Sequence, residues 1–425
     1  MKQSTTYRIA VIGLGYVGLP LAKLFLERGH TVYGIDLDER KLDKLNKHQP
    51  YLSDFTRAEM KEMFARGTFH AGSSFEVISE TDVVIICVPT PLNEQAQPDL
   101  TYVTGAMRSC LPYLHVGQLI VLESSTYPGT TEDELQPLIE SRGFEIGKHI
   151  SLAYSPERID PGQKAFPLHS IPKIVGGVTP RCTAFAEEVY GSAFDRVVLV
   201  SSPRTAEMTK LLENCQRFVN ISFMNELLPL CEEMNINLWE VVAAASTKPY
   251  GFTPYYPGPG IGGHCIPIDP LYLLWKARTL NQDIPFIERS HEVNEAMPAY
   301  VVERVKKSLQ GIPLSESSVL VVGVTYKKDV NDLRDSTAIP IIKQLAELGV
   351  LVNYYDPYFD QLQIGDKIYK SLPLTAKNVK KHKCTLILTD HSNLPYNLIV
   401  AHSSIVIDTR NATSKLLDRS NVIML

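Results

Sequence analysis

Gly13-Leu14-Gly15-Tyr16-Val17-Gly18 forms a G-x-G-x-x-G run, and Asp36 lies 18 residues past Gly18. In this spacing the first glycine allows a tight turn. The second lets the backbone approach a pyrophosphate, and the third lets a helix pack closely on a strand. A helix opening there offers free N–H groups and a partial positive charge to phosphates. Asp36 is placed to hydrogen-bond both hydroxyls of a ribose, and its charge repels a 2′-phosphate. The expected cofactor is therefore NAD rather than NADP, against the competing reading of a glycine-rich structural turn.

A second concentration lies at Tyr255–Asp269, where Gly258, Gly260, Gly262 and Gly263 precede Cys265. Glycines free the backbone to bend around a ligand, and a thiol near cations or a helix N-terminus becomes a reactive thiolate. By itself Cys265 reads equally as a nucleophile and as a structural thiol; Cys87, Cys110 and Cys231 read as structural. Three further stretches are polar among apolar surroundings. Ser125 and Thr126 follow a strand, Glu157 and Arg158 sit in a Pro-rich loop, and Glu207, Lys210 and Asn214 are spaced i, i+3, i+7. That last spacing puts the three on one helix face. Each stretch also reads as a cap, a turn or a solvated face.

The elements needed to hold these residues are legible around them. Arg8–Gly13, Thr31–Asp36, Thr81–Val88, Gln118–Glu123 and Ile150–Ala153 read as buried strands, with a helix over Leu19–Arg28. Such alternation gives a parallel sheet with helices on both faces. Ser202-Pro203 reads as a helix start, and Thr205–Met234 is periodic with no glycine. After a Gly/Pro/Ser linker over Gln310–Ser318, a second alternating block begins at Val319–Gly323. Its helix is expected at Ser336–Leu348, with strands at Val350–Asp356, Leu386–Thr389 and Ile405–Asp408. The turn Val322–Lys327 lacks the glycine fingerprint, so this block is expected to bind a different nucleotide or only to pack. The fold class is α/β: two Rossmann-like parallel-sheet domains joined by a long helical connector. The expected domains are 1–200, 201–309 and 310–425.

The chain has 425 residues and a net charge of −5, which argues against a nucleic-acid or membrane-surface partner. Seven scattered cysteines with no C-x-x-C point to a reducing, cytoplasmic compartment. No His/Cys cluster has metal-ligand spacing, so no metal is expected, and no apolar run is long enough to span a bilayer. Lys2 and the apolar stretch from Ile9 could mimic a signal peptide, but its glycines fit the dinucleotide turn better.

In order along the chain stand GLGYVG (13–18), VPTP (88–91), SSTYPGT (124–130), SPERIDPG (155–162), AEMTKLLEN (206–214), PGPGIGGHCIPID (257–269) and TYKKDVNDLRDS (325–336). Together they resemble the UDP-glucose/GDP-mannose dehydrogenase family over nearly the whole chain. The resemblance implies an NAD-binding domain, a dimerising helical connector and a C-terminal domain that binds a UDP-sugar. It implies that Cys265 traps an aldehyde as a thiohemiacetal, which is oxidised to a thioester and hydrolysed, with two NAD reduced. It implies Lys210 and Asn214 as oxyanion stabilisers, Thr126 and Asp269 as holders of the water, and Glu157 as an acid/base. It assigns Tyr16, Val17, Lys41, Thr90, Thr126 and Arg334 to the cofactor, beside Gly13, Gly15, Gly18 and Asp36. It assigns Glu157, Arg158, Lys210, Asn214, Tyr256, Gly260 and Lys327 to the sugar nucleotide.

There are departures. Ile268 stands where glucose- and mannose-type members carry lysine, and His264 where they favour serine. An arginine that completes the partner subunit's sugar site in some members has no clear counterpart, although Lys248 is nearby. The GGHCIPIDP pattern resembles the N-acetylhexosamine branch. UDP-N-acetylglucosamine is the first expectation, UDP-N-acetylmannosamine the second and UDP-glucose the third, and the resemblance implies a setting in polysaccharide biosynthesis. A one-step hydroxyacid dehydrogenase of the 6-phosphogluconate type would not need Cys265 or a second sheet domain. A non-catalytic NAD sensor would not need Cys265, Lys210 and Glu157.

Overall fold

β1 (Arg8–Ile12), β4 (Val83–Ile86) and β5 (Leu119–Leu122) are near-continuous apolar runs, the pattern of strands covered on both faces. The computed structural model describes residues 5–52, 54–158 and 166–425. Ile159–Gly162 of the SPERIDPG segment and Lys2 lie outside the described residues. Two compact units emerge: Met1–Asn214 with Leu271–Gln282, and Cys215–Pro270 with Asp283–Leu425.

The first unit adds β2 (Thr31–Ile35), β3 (Phe69–Gly72), β6 (Ser151–Tyr154), β7 (Lys173–Gly177) and β8 (Val197–Leu199). The order is β3-β2-β1-β4-β5-β6-β7-β8, parallel except where β6 meets β7. Ile9, Val11, Val83, Ile85 and Val121 pack on one face with Leu21 and Phe25 of the helix Gly18–Glu27. Ala10, Ile12, Val84, Ile86 and Leu122 pack on the other with Val103 and Met107 of the helix Thr101–Cys110. That is the period-2 alternation of strands. The order reverses between β1 and β4, so their C-terminal ends form the switch point at which open α/β sheets bind ligands.

The second unit holds β9 (Ser318–Val322), β10 (Leu351–Tyr355), β13 (Cys384–Ile387), β14 (Val406–Asp408) and β15 (Val422–Met424). They form an all-parallel sheet ordered β10-β9-β13-β14-β15. β11 (Gln361–Ile364) and β12 (Lys367–Lys370) make a separate antiparallel hairpin. Here the switch point lies between β9 and β13.

The connector begins with a 31-residue helix, Pro203–Glu233, about 46 Å long at 1.5 Å per residue. Ser202 caps it as expected, accepting from Thr205 N at 3.2 Å. Helices Leu238–Ala245, Asp269–Thr279 and Pro285–Ser308 follow. Among the described residues no helix is long and apolar enough to cross a membrane. No group of described His, Cys, Asp and Glu residues could hold a metal ion.

Candidate active site

The glycines of the first turn each have a physical reason. Gly13 has φ +92° and donates from its N–H to Ile35 O at 2.7 Å. A Cβ there would lie 2.6 Å from Cys87 O, and one on Gly18 would lie 1.9 Å from Gly13 O. Gly15 faces open space, with nothing within 4 Å of an added Cβ. The turn thus packs tightly where its own chain must pass and is open where a phosphate would approach, so it fits a dinucleotide. Tyr16 lies in this turn and Val17 at the helix start, where its carbonyl accepts from Leu21 N at 3.2 Å.

Asp36 follows β2 and is buried. Its Oδ2 accepts from Leu14 N and Lys41 Nζ, both at 2.9 Å, and its Oδ1 from Asp38 N at 2.9 Å. Three donors occupy a group with about four acceptor positions. A ribose therefore gains full access only when Lys41 swings aside. Lys41 is about one-third exposed and Asp36 only 8%, so the lysine is the partner with solvent to move into. Thr90 is buried, and its carbonyl accepts from the Tyr272 hydroxyl.

Thr126 follows β5 and is fully buried. Thr130 Oγ1 gives its proton to Tyr127 O at 2.9 Å, so the 2.5 Å contact between Thr126 and Thr130 has Thr126 donating. The Thr126 lone pairs are therefore directed to accept. Glu207 anchors this loop, accepting from Gly129 N (2.6 Å), Thr131 N (2.9 Å) and Thr131 Oγ1 (2.7 Å). Glu207 shares a helix face with Lys210, as expected, but its bonds go to the loop.

Lys210 Nζ donates to the Glu157 carbonyl at 2.7 Å and to its carboxylate at 3.1 Å, and both residues are buried. Burial raises the Glu157 carboxyl above its ordinary value, opposed by the Lys210 charge. Asn214, one helical turn past Lys210, is buried as well. Arg158 is engaged with Glu213 (2.6 Å) and with Pro172 O (3.1 Å).

A buried ion pair beside this site escaped the sequence reading. Lys173 Nζ meets Glu123 Oε2 at 2.6 Å and donates to Pro156 O at 3.3 Å, while the Tyr190 hydroxyl donates to Glu123. Its only sequence signal is a charge at the edge of each of two buried strands.

In the second unit the cysteine loop is moulded by its glycines. Gly258 N donates to Asn225 Oδ1 at 2.9 Å, and Gly263 N to Arg334 O at 3.2 Å. Gly260 and Gly263 have φ +106° and +95°. A Cβ on Gly262 would lie 2.5 Å from Asp335 O, and one on Gly263 2.7 Å from the Tyr326 ring. The partly buried Cys265 accepts at its carbonyl from Asp269 N at 2.9 Å, and Asp269 opens the next helix. Arg334 grips Asp332, its shortest contact Nη2–Oδ2 at 2.7 Å, and its guanidinium interacts electrostatically with the Cys265 thiol. Burial lowers the His264 pKa and Arg334 lowers it further. Tyr256 stacks on Trp239 with centroids 5.1 Å apart. The Lys327 carbonyl accepts from Thr325 Oγ1 at 2.9 Å. Cys110 and Cys231 are buried, and no described cysteine is in a disulfide.

The chain matches the UDP-glucose/GDP-mannose dehydrogenase family in three consecutive parts. These are its NAD binding domain (residues 7–194), central domain (204–296) and UDP binding domain (320–415). It is 34% identical to a UDP-N-acetyl-D-mannosamine dehydrogenase of Methanococcus maripaludis, over 90% of this chain and 86% of that one. It is 36% identical to the enzyme of that name from Escherichia coli, over 80% and 82%. A solved UDP-N-acetyl-mannosamine dehydrogenase from Staphylococcus aureus superposes with a TM-score of 0.85 at 34% identity, covering 98% and 97% of the two chains.

Proposed function

This chain belongs to the UDP-glucose/GDP-mannose dehydrogenase family and is an NAD-dependent nucleotide-sugar dehydrogenase, and on that premise we propose that it oxidises the 6-hydroxyl of UDP-N-acetylmannosamine to the carboxylate. The observation that carries the choice of sugar is the activity named for its relatives at 34–36% identity. UDP-N-acetylglucosamine, the first expectation from sequence, gives way to the second. The two sugars differ only in configuration at C2, and nothing about Ile268 or His264 spells out that difference. Both retain the acetamido group that the departures at these positions suggested.

Gly13, Gly15, Tyr16, Val17, Gly18, Asp36, Lys41 and Thr90 form the dinucleotide site of this reading, with Thr126 and Arg334 completing it. NAD held there would accept the hydride of each oxidation, one molecule of NAD for each step. Cys265 attacks the aldehyde carbon, and the carbonyl oxygen takes a proton as the C–S bond forms a thiohemiacetal. After the second oxidation the same bond is a thioester, which water cleaves to carboxylate and thiol. Lys210 and Asn214 stabilise the oxyanion. Thr126 and Asp269 hold the water, which the acceptor orientation of the Thr126 hydroxyl supports. Glu157 exchanges the proton, and its raised proton affinity supports that role. Lys327, Tyr256, Gly260 and Arg158 hold the UDP-sugar.

We read the protein as a cytoplasmic homodimer of three functional parts: 1–200, 201–309 and 310–425. Phe223 and Leu230, on the helix Pro203–Glu233, are 52% and 53% exposed, which supports a covered face there. The test of substrate is NAD reduction with UDP-N-acetylmannosamine, UDP-N-acetylglucosamine, UDP-N-acetylgalactosamine, UDP-glucose and GDP-mannose. The highest kcat/KM is expected with the first. A higher value with any other sugar removes the proposal.

A further inference from the structure

The turn after β9 repeats the geometry of the turn after β1. Gly323, at φ +82°, donates from its N–H to Tyr355 O at 2.9 Å. Asp356, just past β10, accepts from Val324 N at 2.7 Å, as Asp36 accepts from Leu14 N at 2.9 Å. The two turns part at the aspartate's other partner. The buried Asp36 pairs with the partly exposed Lys41, whereas Asp356 Oδ2 pairs at 3.1 Å with Nε2 of His391, which is 1% exposed. Asp356 is therefore committed inward and is not offered to a ribose diol.

The other ring nitrogen of His391 decides the tautomer. Nδ1 lies 3.0 Å from Asp329 N, and a backbone N–H only donates. Nδ1 is thus unprotonated, and Nε2 carries the proton toward Asp356. His391 links the end of β10 to Asp329, which is held at φ +60°, a conformation uncommon outside glycine. Ser392 completes the grip, donating from N to Asp329 Oδ1 at 2.9 Å and from its hydroxyl to Oδ2. On the other side of Lys327, Thr325 O accepts from Thr389 Oγ1 at 2.7 Å, and Thr325 Oγ1 lies 3.3 Å from His391 Nε2. The segment 325–329 is pinned at both ends, with Lys327 between.

We propose that His391 is a positioning residue for sugar-nucleotide binding, holding the 325–329 segment so that Lys327 presents its ammonium to the UDP diphosphate. The inference rests on the reading of Lys327 as the UDP-sugar lysine. A lysine acts on phosphate as a point charge, so its placement governs affinity directly.

The test is calorimetric binding of UDP alone to the full-length protein, with Lys327→Ala, His391→Leu, His391→Asn and Ser392→Ala. Lys327→Ala and His391→Leu should each weaken UDP by about tenfold or more. His391→Asn should recover most of the loss, because its amide oxygen can accept from Asp329 N. In turnover, His391→Leu should raise KM for the sugar nucleotide, with kcat and KM for NAD little changed. If Lys327→Ala weakens UDP while the His391 and Ser392 variants leave it unchanged, the positioning role is overturned and the lysine reading stands. If Lys327→Ala leaves UDP binding unchanged, the underlying reading fails and takes the proposal with it. Should His391→Leu not fold, exposed Ser392→Ala decides: weakened UDP binding supports the clamp, and wild-type binding removes it.

Discussion

The Lys210 ammonium donates to both the backbone carbonyl and the side-chain carboxylate of Glu157, at 2.7 and 3.1 Å, and both residues are buried. One cation thereby fixes the carboxylate's position and favours its ionised form, while burial pushes its pKa above the ordinary value. Such opposition keeps a carboxyl able to exchange protons nearer neutrality.

Glu157→Gln should lower kcat by about 10²–10⁴-fold, the usual contribution of a positioned acid/base. The wild-type activity should fall as pH drops through a pKa above the ordinary carboxylate value. That limb belongs to Glu157 and should vanish in the glutamine variant. A kcat–pH profile of both proteins checks this, and an unchanged limb would assign the ionisation to another group.

Gly15 and Gly18 should fail in different ways when changed to alanine. Gly18→Ala forces a Cβ to within 1.9 Å of Gly13 O, so a loss of about 1–3 kcal/mol or more of stability is expected. Gly15→Ala meets nothing of the chain, so it should fold normally and raise KM for NAD. Thermal unfolding with cofactor titration separates the two. Equal destabilisation of both would contradict the open face assigned to Gly15.

Lys41→Ala should retain the preference for NAD over NADP, because Asp36 supplies the repulsion. Asp36→Asn should erode that preference; its amide oxygen can still accept from Leu14 N, while the bond from Asp38 N is lost. The ratio of kcat/KM for the two cofactors is the measurement. A preference that survives Asp36→Asn intact would move the discrimination elsewhere.

Much of this was legible because it is local. RIAVI, TVYGI and the glycine run announce a strand, a turn and a second strand within 30 residues, and the glycine-free run after Pro203 announces its helix. The unread parts are contacts between distant residues. Glu123 and Lys173 are 50 residues apart and meet because β7 runs antiparallel beside β6. His391 and Asp356 meet because β9 lies between β10 and β13. The hairpin β11–β12 is built from four-residue strands too short for their alternation to stand out. The configuration of a sugar depends for its recognition on side-chain placement, which residue types do not encode.

Cys265→Ser should lower full turnover by orders of magnitude, because a hydroxyl is a weaker nucleophile and stays protonated. Any ester formed would hydrolyse more slowly than a thioester. Cys87→Ser and Cys231→Ser, where they fold, should keep most activity. Mass spectrometry of Cys265→Ser with substrate and NAD should show either a sugar adduct at residue 265 or released aldehyde. Near-wild-type turnover by this variant would remove Cys265 as the nucleophile.

The most direct measurement is the stoichiometry of NADH formed per UDP-N-acetylmannosamine consumed by the wild-type enzyme. Two NADH and a uronic acid are expected, with no free aldehyde. One NADH per sugar, with aldehyde accumulating, would contradict the four-electron oxidation on Cys265.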